Sequence, residues 1–273
     1  MTLTPAKRLA GLALTAAIFV AACSGGSSAT TAPTMAPATA PAASAGTAAA
    51  TPAATAATLP KPPTASVKLQ GAGATFPAPL YQVWFDTYTG LFPNIQFDYT
   101  ANGSGAGIKA ITEGTVDYGA SDAAMKDSEI AALKAGVSIL HVPTALGAVV
   151  VIYNVPGVTD LKLDAATVAG MYLGTVTTWN DPAIAALNPG VTLPSTPITI
   201  VHRADASGTT NAFTTYLDTV SPDWHTKVGA GKEVSWPAGI GSQGNDGVAG
   251  SVKQTEGAVG YVELNYATTA GLT

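Results

Sequence analysis

The chemistry of this 273-residue chain is most apparent at 201–210, where an arginine precedes a cluster of serine, glycine and threonine residues. The β-branched run 198–201 predicts a buried strand, and apolar residues at helical spacing in 211–217 predict a helix after the cluster. A helix that begins at such a cluster directs its free N–H groups, its positive dipole end and several hydroxyls toward one point. This arrangement is typical of a site for a phosphate-like anion.

Arg203 is the candidate charged ligand of that anion. Its guanidinium presents a planar set of donors that matches two oxyanion oxygens. The alternative interpretation is a capped surface helix beside an unrelated arginine, and this segment alone does not separate the two.

Two further helix starts are rich in hydrogen-bond donors. The sequence GAGATFPAP leads into an apolar helical face over 80–91, with Thr75 predicted at the helix cap and the amides of Thr75 and Phe76 free. The alternating strand 95–99 is followed by a glycine-rich turn in which Ser104 supplies both an amide and a hydroxyl.

The elements that position these residues alternate between strand and helix, which indicates an α/β fold with a mostly parallel sheet. Residues 116–122 predict a strand that closes on an acidic turn at Asp122. The apolar run 148–153 predicts a central strand covered on both faces, and the segment 163–184 predicts helix, turn and short helix in a second domain. Ligands of such folds bind at the carboxyl ends of strands, where helices begin.

The first 65 residues are predicted to lie outside the folded part. Residues 1–22 carry two basic residues, an apolar stretch too short to span a bilayer and a small-residue cleavage site, as in a secretory signal. Cys23 stands where a bacterial lipoprotein carries its lipid, and no second cysteine is present for a disulfide. Residues 23–65 are rich in alanine, threonine and proline and predict a disordered tether.

Charge argues against nucleic acid as a partner. Removal of the signal leaves 10 basic and 17 acidic residues, a formal charge of −7. A nucleic-acid-binding protein requires a basic face. An anion captured here is therefore attracted by local donors against an adverse net field.

Signals for cofactor chemistry are weak. Residues 239–244 match a dinucleotide fingerprint, with Glu263 at the distance of a ribose-binding acid, but the only candidate strand before them is 234–236, broken by Pro237. A glycine-rich turn before a helix around 248–255 is the preferred interpretation. The three histidines show no metal-ligand spacing, and no nucleophile elbow is present, so we expect neither a cofactor, nor a metal, nor an enzyme.

Five motifs, in this order, resemble the phosphate-binding proteins of bacterial phosphate-specific ABC importers: GAGATFPAP, DYGASD, YLG with WND, RADASGT, and GNDG with GYVE. The resemblance runs from about residue 69 to the end of the sequence. It implies a two-lobed periplasmic-binding-protein-like fold of type II, with 66–143 in lobe I and 144–273 in lobe II. It also implies a lipid-anchored extracytoplasmic receptor, expected to be monomeric, that delivers phosphate to a membrane permease.

The resemblance assigns phosphate ligands to eight positions, with Asp205 orienting the arginine: Thr75, Phe76, Ser104, Asp122, Arg203, Ser207, Gly208 and Thr209. Asp122 carries the expected selectivity, because a carboxylate among donors favours an anion that brings its own proton. Phosphate does so at neutral pH and sulfate does not.

Two departures from the family pattern stand out. Ser104 stands where the family often has two adjacent serines. The sequence also ends before the family's return crossing into lobe I, which predicts a truncated lobe I with exposed apolar surface and a low melting temperature. The competing functions are a receptor for another tetrahedral oxyanion, a secreted phosphoester hydrolase, and an adhesin or signalling module that retains the fold.

Overall fold

A computed structural model describes residues 61–272 of the chain. The predicted signal, the lipidation site at Cys23 and nearly all of the predicted tether lie outside the described residues. The described part is an α/β fold with two separate sheets, and we call each sheet with its helices a lobe.

The first lobe is a parallel three-stranded sheet in the order β2-β1-β3. Its elements in chain order are β1 (Val67–Gly73), α1 (Ala78–Leu91), β2 (Ile95–Ala101), α2 (Ser104–Glu113), β3 (Tyr118–Ala120) and α3 (Asp127–Ala131). Gly73 pairs with Ala101 on one side and with Ala120 on the other, so the three strands end level with one another.

The second lobe is a four-stranded sheet in the order β4-β7-β5-β6, in which β4 alone runs antiparallel to its neighbour. Its elements are β4 (Val149–Tyr153), α4 (Ala165–Tyr172), α5 (Pro182–Leu187), β5 (Thr199–Arg203), α6 (Gly208–Val220), α7 (Pro222–Lys227), β6 (Ile240–Ser242), α8 (Gly244–Gln254), β7 (Ala258–Glu263) and α9 (Leu264–Ala270).

Three expectations about local structure were wrong. The apolar strand β4 lies at the edge of its sheet rather than in the centre, and the fully buried position belongs to β7. Helix α1 begins after Pro77, not at Thr75, because proline at this end already supplies the helical φ without an N–H. The segment 239–244, expected to be a glycine-rich turn, contains strand β6, which pairs with β5, and the helix after it already begins at Gly244.

The hydrophobic core of the described chain lies in the second lobe. Both clusters of buried apolar side chains belong to residues 149–272, and they pack on opposite faces of the sheet strands β5 and β7. In the first lobe, helix α1 has no buried residue. Its exposed apolar side chains are Leu80, Val83, Trp84, Tyr88 and Leu91.

Candidate functional site

The predicted ligands gather at the carboxyl ends of strands from both sheets. In the first lobe, Thr75, Ser104 and Asp122 each follow a strand end by two or three residues. In the second lobe, Arg203 and Glu263 are the last residues of β5 and β7. Parallel strands place their carboxyl ends at one edge of a sheet, so each lobe contributes one edge to the site.

Arg203 is buried and held in a fixed orientation. Its Nε donates to Asp205 Oδ1 at 2.7 Å, and its Nη2 pairs with Asp205 Oδ2. Nη1 donates to Thr209 Oγ1 at 3.1 Å and to Asn245 Oδ1 at 3.2 Å. Asp205 also accepts from the amide of Gly244 at 3.0 Å. This bidentate pair fixes the plane of the guanidinium.

Ser104 and Gly208 join the two lobes. Ser104 Oγ accepts from the amides of Gly208 at 3.1 Å and Asp122 at 3.2 Å, and lies 3.4 Å from Asp122 Oδ2. A Cβ at Gly208 would lie 2.5 Å from the Asp122 side chain, so only glycine permits this approach. The amide of Gly105 donates to the carbonyl of Ala206 at 2.8 Å. The start of α2 therefore contacts the start of α6.

Thr75 is held from the second lobe through both its side chain and its backbone. Its Oγ1 accepts from Asn245 Nδ2 at 2.9 Å, and its carbonyl accepts from the Tyr266 hydroxyl at 2.5 Å. The amides of Thr75 and Phe76 have no acceptor among residues 61–272. Among residues 61–272, no hydrogen bond joins Phe76 to another predicted ligand, and its ring lies against Gly147.

Ser207 forms the N-cap of α6, which begins in the predicted cluster of serine, glycine and threonine. Its Oγ accepts from the amide of Thr210 at 3.2 Å, which satisfies one of the free donors of the helix start. Because that oxygen acts as an acceptor toward the helix, the hydroxyl proton of this buried side chain is available to a ligand.

Two carboxyl groups at the site have raised pKa values. Asp122 is exposed as a whole residue, but its carboxyl oxygen lies against Ser104, and burial of that group raises the pKa of Asp122 against the lowering effect of the Arg203 guanidinium and of the Ser104 hydroxyl. Burial, with the nearby Asp122 charge, raises the pKa of Glu263 to about 7, although Thr209 and Arg203 favour its ionised form. For both groups, burial makes the ionised form costlier than it is for an exposed carboxyl group.

The site contains residues that sequence reasoning missed. Asn245 and Glu263 lie behind the predicted ligands, and the Tyr261 hydroxyl accepts from the Arg203 amide at 3.2 Å. The sequence places Glu263 at the distance of a ribose-binding acid and in the GYVE motif, and neither assigns it to the anion site. The available signal was the position of the Glu263 carboxylate at the end of an apolar strand. Burying a carboxylate there is costly unless donors surround it.

Within residues 61–272, no group of three or more His, Cys, Asp or Glu residues could hold a metal ion. No helix of the same stretch combines the length and apolarity needed to cross a membrane.

Comparison with known proteins agrees with this architecture, which is a two-lobed periplasmic-binding-protein-like fold of type II. The model of the PBP superfamily domain matches residues 27–273, and the chain belongs to that superfamily. A structure from Clostridium perfringens, described as a putative phosphate ABC transporter substrate-binding protein with bound phosphate, has the same fold. It is 23% identical, with a TM-score of 0.57 over 73% of this chain and 72% of that one.

The motif resemblance is confirmed by curated relatives named phosphate-binding protein PstS. The relative from Xylella fastidiosa strain Temecula1 is 45% identical over 206 residues, which cover 75% of this chain and 55% of the relative. The relative from Pasteurella multocida is 44% identical over 206 residues, covering 75% of this chain and 58% of the relative. The chain thus spans little more than half the length of these relatives.

Proposed function

We propose that this chain captures inorganic phosphate between its two lobes, as the binding component of an ABC importer. One observation carries the proposal. Arg203, the start of α6 and the free amides of 75 and 76 converge on one buried region that both lobes line. The names of the relatives point to the same ligand.

In this proposal the second lobe supplies charge and the first lobe supplies directional donors. Arg203 and the α6 N-terminus, with Ser207, Gly208 and Thr209, attract the anion. Thr75, Phe76 and Ser104 complete the cradle, which replaces the hydration shell of phosphate with fixed donors. Since no residue of the site is assigned as a nucleophile, we propose binding and release without catalysis.

Asp122 is the proposed selectivity residue. Its carboxylate accepts the proton that phosphate retains at neutral pH, whereas it repels a fully ionised sulfate. Burial raises the pKa of this carboxyl group, and the Arg203 guanidinium nearby opposes that rise by favouring the ionised, accepting form.

The remaining functional assignments follow from the same proposal. We place the lobe boundary between residues 143 and 144. Residues 1–22 act as a lipoprotein signal, lipidation of Cys23 anchors a monomeric receptor outside the cytoplasm, and 23–65 serve as the tether that reaches the membrane permease.

Calorimetry on the full chain tests the proposal, with phosphate, arsenate and sulfate as ligands. We expect phosphate and arsenate to bind and sulfate to be rejected. The Asp122→Asn variant should lose more of its discrimination against sulfate than of its phosphate affinity, because an amide no longer repels sulfate. Absence of phosphate binding by the wild-type chain would overturn the function, and unchanged sulfate rejection in the variant would overturn the role of Asp122.

A further inference from the structure

Asn245 and Glu263 are the buried polar groups directly behind the predicted ligands. Asn245 is 0% exposed and Glu263 is 3% exposed. Neither side chain lies on the donor-rich segments that define the anion site. Every polar contact that the structure gives to these two side chains nevertheless ends on a predicted ligand or on the other member of the pair.

The orientation of the Asn245 amide is determined by its neighbours. Arg203 Nη1 carries only donors, so the side-chain oxygen of Asn245 must face it, at 3.2 Å. The amide nitrogen therefore faces Glu263 Oε2 and Thr75 Oγ1.

The direction of the remaining bonds follows from this. Glu263 Oε1 accepts from Thr209 Oγ1 at 2.8 Å, and that same hydroxyl oxygen accepts from Arg203 Nη1 at 3.1 Å. Arg203, Thr209, Glu263 and Asn245 thus form a closed ring in which each hydrogen has one acceptor. We call these four residues the buried ring.

The buried ring determines which donors face the anion. Because Asn245 donates to the Thr75 oxygen, the Thr75 hydroxyl proton is available to a ligand. Four of the five N–H groups of Arg203 are directed to Asp205, Thr209 and Asn245, so a single Nη2 hydrogen remains for the anion.

The bond between Asn245 and Thr75 also crosses from one lobe to the other. Thr75 follows β1 of the first lobe, whereas Asn245 lies in the first turn of α8 in the second. The donor that Asn245 orients on Thr75 is therefore in place only while the two lobes are in contact at this point.

We propose that Asn245 and Glu263 are positioning residues of the phosphate site, which orient Arg203, Thr209 and Thr75 without touching the anion. This inference rests on the proposed function. It assigns to the GNDG and GYVE motifs a role that sequence reasoning had left open.

The first test replaces Asn245 with an apolar residue of similar size. We expect Asn245→Leu to raise the Kd of the full chain for inorganic phosphate about tenfold or more, because Arg203 and Thr75 lose their orienting contacts. The matched control is Asn188→Leu. Asn188 is a buried second-lobe asparagine that bonds the backbone of Lys162 and Ile184, and its replacement should lower the melting temperature but leave Kd within about twofold.

The second test exchanges the two chemical groups. Asn245→Asp sets a carboxylate against Glu263 and should weaken phosphate binding further than Asn245→Leu. Adding Glu263→Gln restores a complementary pair, since the new amide can donate to the new carboxylate and still accept from Thr209. We expect the double variant to recover most of the affinity lost by Asn245→Asp, but not the part due to Thr75, which no longer receives a donor.

The outcomes separate the two proposals. If the wild-type chain does not bind phosphate, the proposed function fails and this inference with it. If the wild type binds and Asn245→Leu keeps Kd within about twofold, the positioning role alone is wrong. A double variant no tighter than Asn245→Asp, measured on chains that both melt cooperatively, also contradicts it. If Asn245→Leu does not fold, the comparison of Asn245→Asp with the double variant decides.

Discussion

The two lobes share one site but are built on different kinds of support. In the second lobe, strand β7 is buried along its whole length, and two apolar clusters pack against the sheet. In the first lobe the sheet has three strands, and helix α1 lies against it without a single buried residue. The exposed aromatic and aliphatic side chains of α1 contrast with the buried tryptophans of the second lobe.

This difference corresponds to what each lobe contributes to the site. The buried charges Arg203 and Glu263 belong to the well-packed lobe, where a desolvated charge is tolerated because its partners are held in place. The first lobe contributes mainly amides and hydroxyls, which backbone geometry alone can direct. The guanidinium of Arg203 thus lies where packing is dense. Among the predicted ligands of the first lobe only Asp122 is charged, and the others are neutral groups that cost less to bury.

A matched pair of tryptophans tests the comparison in its strongest form. Trp179 is 0% exposed and donates from Nε1 to the Gly257 carbonyl at 2.9 Å, whereas Trp84 of α1 is 43% exposed. We expect Trp179→Ala to lower the free energy of unfolding by about 3–5 kcal/mol. Trp84→Ala should change it by less than about 0.5 kcal/mol. Denaturant titration of both variants provides the measurement, and a large loss for Trp84→Ala would mean that α1 is covered in solution.

Removal of the central charge is the next largest effect. Arg203→Ala leaves Asp205 buried without its partner, and we expect it to cost on the order of 2–5 kcal/mol of phosphate affinity. The first-lobe counterpart, Ser104→Ala, removes one neutral hydroxyl and should cost about 1 kcal/mol. Calorimetric titration of both variants with phosphate measures the two losses of affinity. Equal losses would show that charge is not concentrated in the second lobe.

Sequence reasoning found the residues whose positions depend on local structure. The start of α6 at its serine, glycine and threonine cluster, the glycine-rich start of α2 and the pairing of Asp205 with Arg203 are each set within a few residues of chain, so patterns and motifs reveal them. The α/β class followed from the alternation of strands and helices in the same way.

What sequence reasoning missed depends on pairing between distant segments. The sequence of β4 is apolar enough for a central strand. Its position at the edge becomes clear only from the pairing, because β4 pairs with β7 and with no other described strand. Asn245 acquires its role from Arg203, 42 residues away, and from Thr75, 170 residues away. Glu263 acquires its role from Thr209, 54 residues away. The hydrophobic periodicity of a single segment does not predict such contacts.

The raised pKa of Glu263 gives a prediction about pH. Burial raises that pKa from its ordinary value of 4.5 to about 7, while Asp122, Arg203 and Tyr266 face the same region. Between pH 4.5 and about pH 7, the Glu263 carboxyl group therefore holds its proton more tightly in the folded chain than in the unfolded chain. The contribution of Glu263 to stability is therefore present at low pH and is lost as the pH rises through about 7.

Unfolding measurements at pH 5 and pH 8 on the wild type and Glu263→Gln isolate this contribution. The stability difference between the two proteins should shift by up to about 3 kcal/mol across the range, with the wild type relatively weaker at pH 8. Glu256→Gln, an exposed change beside β7, is the control and should show no such shift. A pH-independent difference for Glu263→Gln would contradict the burial of charge in the second lobe.

The smallest expected effect concerns an ion pair that joins the lobes away from the anion. Lys232 Nζ lies 2.8 Å from Glu129 Oε1. Burial tends to raise the pKa of Glu129, but the hydrogen bond and charge of Lys232 hold that pKa below its usual range. Lys232→Met should therefore weaken phosphate binding about two- to fivefold, corresponding to about 0.4–1 kcal/mol for a partly exposed pair. Lys227→Met removes a similar pair with Asp223 inside α7 and should leave Kd unchanged. If both variants bind phosphate like the wild type at low and high salt, this pair does not stabilise the contact between the lobes.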